Sequence, residues 1–174
     1  MAPRPNPTAQ ADALLEQHWD GMLPVPVARI AERLGVTLRY ELLEGDLSGV
    51  LYRAEDGRVV LGVNSWHADV RQRFTIAHEL GHLTLHADTL HVDGFIARDS
   101  QSSLAIKPEE IDANAFAAEL LMPRNTILEQ LNKLIDADAD LALKRAVAEL
   151  ARLFDVSEQA MQFRLVNLGL TTTF

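Results

Sequence analysis

The sequence predicts an α+β fold in a single domain, with a central helix, a small antiparallel sheet and a helical C-terminal part. Three observations carry this. Residues Asp69 to His86 contain no proline and only one glycine, Gly81, and repeat apolar side chains at helical spacing. Short runs rich in Val, Leu, Thr and Tyr between Thr37 and Val63 are broken by turn residues, as strands are. From Asn125 onward the periodicities are helical throughout.

Each element follows in order. Residues 1–8, with three prolines and no periodicity, read as a flexible leader, and residues 9–174 as one domain whose helical C-terminal subregion covers about 124–174. Ala9 to Trp19 and Val25 to Val36 are expected helices, the second ended by Gly35. Thr37 to Leu43 is a strand, and Leu47 to Arg53 with Arg58 to Val63 forms a hairpin around Glu55-Asp56-Gly57. His91 to Asp99 is expected to add an edge strand. Pro108 can open a helix that carries Glu109 and Glu110 in its first turn, where carboxylates suit the dipole, and Pro123 closes it. Asn125 to Lys133, Leu141 to Phe154 and Ser157 to Leu168 complete the chain as helices.

Composition excludes several function classes. A chain of 174 residues is long enough to bury roughly 70 per cent of its unfolded surface without staples. It has no cysteine, so it holds neither disulfides nor a cysteine-based zinc finger. The net charge of −9 opposes unaided nucleic-acid binding, which needs a concentrated basic surface, and suits a basic protein partner. With no run of 18 apolar residues and no charged-then-apolar leader, a soluble cytoplasmic protein away from membranes is expected.

Within the central helix, residues 78–82 read His78-Glu79-Leu80-Gly81-His82. Two histidines four apart lie on one helical face, about 5–6 Å between Cβ atoms, so both imidazoles can reach one metal ion. A zinc ion with three protein ligands keeps an open position for water, whose pKa it lowers, and the adjacent carboxylate of Glu79 can take the proton as that water attacks a peptide carbonyl. The helix is apolar over most of its circumference, with Arg71, Thr75, His78, His82 and His86 as its polar stripe. Buried histidines need partners for their ring nitrogens, and a metal supplies one.

The third ligand must come from elsewhere. The extended metzincin pattern requires glycine and histidine where this chain has Leu85 and Asp88. His86, one further turn along, is a less favoured third imidazole, because on a straight helix His78 and His86 are about 12 Å apart and one ion spans that only if the helix breaks. The favoured alternative is the His₂Glu arrangement of thermolysin-like enzymes, with a carboxylate on the helix after Pro108. Ala113, Ala115, Ala117 and Ala118 would let that helix cross the first closely opposite Gly81.

The runs Arg73-Phe74-Thr75-Ile76-Ala77-His78-Glu79-Leu80-Gly81-His82 and Asp112-Ala113-Asn114-Ala115-Phe116-Ala117-Ala118-Glu119-Leu120-Leu121-Met122-Pro123 resemble the two signature blocks of the ImmA/IrrE metallopeptidases. The likeness extends more loosely from about Pro24 to Leu170. It implies a gluzincin-like zinc endopeptidase in which His78 and His82 bind one Zn²⁺, Glu79 is the catalytic base and Glu110 is the third ligand, with Asp112 and then Glu109 as alternatives. It also implies a helix-turn-helix transcriptional repressor as substrate, cut in a stress-response, mobile-element or toxin–antitoxin setting.

Ala148 to Ser157, followed by Ala160, Arg164 and Leu165, resembles a helix-turn-helix, as Ile30 to Val36 does more faintly. Its second helix offers only Arg164 against Glu158, too little for direct DNA binding. The competing function is a non-catalytic regulator that is stabilised by zinc and binds a repressor, or DNA, through this region. Tyr52, His86 and Arg98 are candidates for the oxyanion partner on chemical type. The run Asp136 to Asp140 reads as a solvated loop, because a calcium loop would want a glycine and a terminal glutamate.

Overall fold

The computed structural model describes residues 4–45, 47–85, 108–138 and 142–171. The expected strand 91–99, His86 and Arg98 lie outside the described residues. Ten elements follow one another: α1 (Pro7–His18), α2 (Val27–Arg33), β1 (Val36–Glu41), β2 (Gly49–Arg53), β3 (Val59–Asn64), α3 (Asp69–Leu85), α4 (Pro108–Leu121), α5 (Arg124–Ala137), α6 (Leu143–Phe154) and α7 (Glu158–Asn167). This is an α+β domain. No helix among the described residues is long and apolar enough to cross a membrane.

Local chemistry explains where the boundaries differ from expectation. The first helix starts at Pro7 because the Asn6 side chain accepts from Thr8 N and Ala9 N, and proline suits a first helical position that needs no N–H. The second helix is shorter at both ends than Val25 to Val36. Its N-cap is Pro26, Gly35 takes a left-handed φ of 78°, and Val36 already belongs to β1.

The sheet departs from the expected antiparallel arrangement. Its order is β1-β3-β2: β2 pairs antiparallel with β3, with Leu51 opposite Leu61, but β1 runs parallel to β3, with Leu38 opposite Leu61. The most apolar strand takes the central slot. Val60 to Asn64 are all buried, whereas Arg39 to Glu41 on β1 are exposed. Residues 42–45 lead out of β1 and residues 47–48 into β2 in a crossover, and β3 fills the slot between the two strands. Buried Asn64 pins this crossover, because its Nδ2 donates to Leu47 O at 2.8 Å and its Oδ1 accepts from Trp66 N at 3.0 Å.

The core lies where α1, α3 and α4 meet the inner face of the sheet, with Leu61, Ile76, Leu80, Phe116 and Leu120 fully buried. Helices α3 and α4 cross at very close range, as the alanines and Gly81 implied. A Cβ added to Gly81 would sit 3.0 Å from Ala113 Cα and 3.1 Å from its carbonyl oxygen. The C-terminal helices are tied on by polar links. Arg73 of α3 donates to Asp155 O and Val25 O, each at 3.0 Å, and pairs with the Asp155 carboxylate at 3.2 Å. Glu119 of α4 forms a buried ion pair with Arg164 of α7, and Arg164 Nε also donates to Met122 O at 3.1 Å.

Candidate metal centre

Two helices supply the site. His78 and His82 are one turn apart on α3, so their rings meet edge to face with centroids 4.8 Å apart and their Nε2 atoms 3.1 Å apart. Helix α4 begins at Pro108, which needs no N–H partner, and carries Glu109 and Glu110 in its first turn. The Gly81–Ala113 approach holds that turn against the histidines. Glu110 Oε2 lies 3.4 Å from His78 Nε2, and its Oε1 lies 3.5 Å from His82 Nε2.

These distances have a chemical meaning. Tetrahedral zinc holds N and O ligands at about 2.0–2.1 Å, which places neighbouring donor atoms about 3.3–3.4 Å apart. The three separations of 3.1, 3.4 and 3.5 Å bracket that value. Two imidazole nitrogens and a carboxylate converging in this way form a donor set that a divalent cation fits. Of the described residues, His78, His82 and Glu110 form the group able to hold a metal, with donor atoms all within 4.8 Å of one another. Asp112 and Glu109, the alternatives on the same helix, are not part of it.

Burial separates the roles further. His78 and Glu79 are each only 7 % exposed, so the carboxylate that follows the first histidine lies in the shielded part of the site rather than on the surface. His82 and Glu110 are half-buried, on the open side. Tyr52 is half-buried on β2, which packs over α3 so closely that a Cβ on Gly49 would meet Thr75 Cγ2.

Two features had no clear signal in the sequence. Asn114, four residues after Glu110, places its Oδ1 2.9 Å from His78 Nδ1. A groove of about 510 Å³ runs between α3, α4 and α7, with Phe74, Asn114, Ala118, Leu121 and Phe163 in its walls. Helical spacing puts Asn114 on the face of Glu110, but only the tertiary crossing brings it to His78.

Known proteins share this architecture and sequence. The model of the IrrE N-terminal-like domain, a metallopeptidase family, matches residues 31–166. The uncharacterized immunity region protein 2 of Bacillus phage phi105 is 32% identical over 110 residues, which are 62% of this chain and 65% of that protein. The radiation response metalloprotease IrrE of Deinococcus radiodurans is 32% identical over 111 residues, which are 62% of this chain but only 31% of that enzyme. The chain thus spans less than two thirds of the length of either relative. A Mycobacterium tuberculosis transcriptional regulator has the same fold, with a TM-score of 0.58 at 21% identity over 92% of this chain and 46% of that one. With the family model covering most of its length and the His-His-Glu cluster at its centre, the chain belongs to the IrrE N-terminal-like domain family of metallopeptidases.

Proposed function

We propose that this protein is a zinc-dependent endopeptidase whose substrate is a helix-turn-helix transcriptional repressor. The observation that carries the proposal is the donor triangle of His78, His82 and Glu110, sized for a tetrahedral ion and placed beside buried Glu79. In this reading His78, His82 and Glu110 hold the metal. Bound there, zinc would acidify a water molecule and polarise the peptide carbonyl. Glu79 accepts the proton from the attacking water and returns it to the leaving amine, so that one carboxylate serves both half-reactions. The low exposure of Glu79 keeps bulk water from competing for that proton.

The choice of substrate rests on the family likeness and on the relatives' names. One is a radiation response metalloprotease and the other an immunity region protein, which supports a role in switching genes under stress or in a mobile element. The competing reading is a non-catalytic regulator that binds a repressor or DNA through α6 and α7, and the burial of α7's cation disfavours its DNA-binding form. Arg164, the one basic residue of α7, is only 7 % exposed and is paired with Glu119, so it is turned away from any operator.

The test is to incubate zinc-loaded protein with the repressor encoded beside its gene. The proposal expects substoichiometric protein to cut many equivalents of repressor, and the Glu79→Gln variant to cut none. A complex that saturates at a fixed ratio, with intact repressor recovered, would establish the non-catalytic regulator instead.

A further inference from the structure

We propose that Asn114 is a positioning residue: by accepting a hydrogen bond from His78 Nδ1–H, it fixes the tautomer and the ring orientation that present His78 Nε2 to the metal. This rests on the metal reading given above.

The chemistry starts from the two atoms in contact. Asn114 Oδ1 lies 2.9 Å from His78 Nδ1, and an amide oxygen can only accept, so this contact is a hydrogen bond in the tautomer that carries the neutral ring's proton on Nδ1. The lone pair is then on Nε2, the atom that lies 3.1 Å from His82 Nε2 and 3.4 Å from Glu110 Oε2. The other tautomer would direct an N–H into the cluster and remove one of its three donors. A ligating histidine commonly donates its second N–H to a fixed acceptor, and loss of that acceptor weakens metal binding by about 10–100-fold.

The surroundings make the contact selective. The Phe74 ring stands 6.0 Å from the His78 ring, and the His82 ring meets it edge to face, so both neighbours restrict the ring. Asn114 adds an acceptor at Nδ1, the ring nitrogen directed away from the cluster. Glu110 and Asn114 are also one turn apart on α4, so a single helix carries both the proposed ligand and the group that orients its partner on α3. Asn114 is itself exposed, which separates its role from core packing.

The experiment measures zinc affinity by chelator competition for the wild type, Asn114→Leu and Asn114→Asp, together with apo-protein thermal unfolding and long-range ¹H–¹⁵N NMR of the His78 ring. Asn114→Leu, similar in size but without an acceptor, should bind zinc 10–100-fold more weakly while the apo protein unfolds at the wild-type temperature. Asn114→Asp, which keeps the acceptor, should restore affinity to within a few-fold of wild type. In the apo wild type, His78 should carry its proton on Nδ1, and in Asn114→Leu it should show a tautomer mixture. Zinc affinity within about threefold of wild type in Asn114→Leu, or equal weakening in both variants, would overturn the inference. A wild-type chain that takes up no zinc at all would instead overturn the metal reading itself, and this inference with it.

Discussion

Gly81 of α3 and Ala113 of α4 approach so closely that a single methyl group on Gly81 would sit 3.0 Å from the Ala113 Cα and 3.2 Å from the Phe116 ring. Because two of the three nearest atoms are backbone, the contact cannot be relieved by rotating a side chain. Gly81→Ala should therefore destabilise the fold by about 1–2 kcal/mol, even though alanine is the better helix former. Pushing α4 outward also withdraws Glu110, which lies one turn before Ala113, so zinc affinity should fall in the same variant. Chemical denaturation and chelator competition measure the two effects. A variant as stable as wild type with undiminished affinity would show that the crossing can widen without consequence.

Glu79 lies outside the group of donors that fits a metal, yet it is buried beside them. Glu79→Gln should leave metal content at the wild-type level and lower peptide cleavage by at least about 10²–10⁴-fold, the range that general acid–base groups contribute. Elemental analysis paired with a cleavage assay separates the two. Loss of metal together with activity would make Glu79 a ligand rather than a base.

The ion pair of Glu119 and Arg164 is 5 % and 7 % exposed, and Glu119 also accepts from Arg124 N at 2.9 Å, where α5 starts. Arg164→Met leaves a buried carboxylate without its cation and should cost about 3–5 kcal/mol. Adding Glu119→Leu should recover much of that loss, since two apolar groups need no partner. The recovery should be incomplete, because the contact to Arg124 N is lost as well. Equal destabilisation in the single and double variants, read by urea denaturation, would place the cost in packing rather than charge.

Desolvation, together with Glu119 close by, raises the pKa of Asp12 on α1 above its ordinary value. The folded state therefore binds this proton more tightly than the unfolded chain, so stability is present at low pH and is lost as pH rises through the raised value. Asp12→Asn removes that loss. Its unfolding temperature should exceed that of wild type near neutral pH, and the gap should close as both are acidified through the carboxylate range. A gap that stays constant with pH would mean that the Asp12 charge is not the cause.

The fold class and the two site helices were legible in the sequence because both depend on local signals. Helical periodicity marks α3, and Pro108 and Pro123 frame α4. Strand pairing was less legible. Alternation locates a strand without fixing its neighbours, and only the burial of Val60 to Asn64 explains why β3 displaces β1 from β2. In the site, spacing set His78 and His82 together, whereas placing Glu110 against them drew on resemblance and on a close helix crossing. Asn114 was invisible as a partner of His78, because that contact joins residues 36 apart in sequence. Arg164 stood out as the one cation on the second helix of a helix-turn-helix, but its inward pairing with Glu119 reverses that implication.

Under the proposed function His78, His82 and Glu110 hold a catalytic metal, and the metal content of the purified chain after dialysis against a weak chelator tests this. Wild type, Glu110→Ala and Asp112→Ala should be compared under identical zinc loading. One zinc per chain is expected in wild type and in Asp112→Ala, and none in Glu110→Ala. Zinc retained by Glu110→Ala, or no zinc in any of the three, would contradict it.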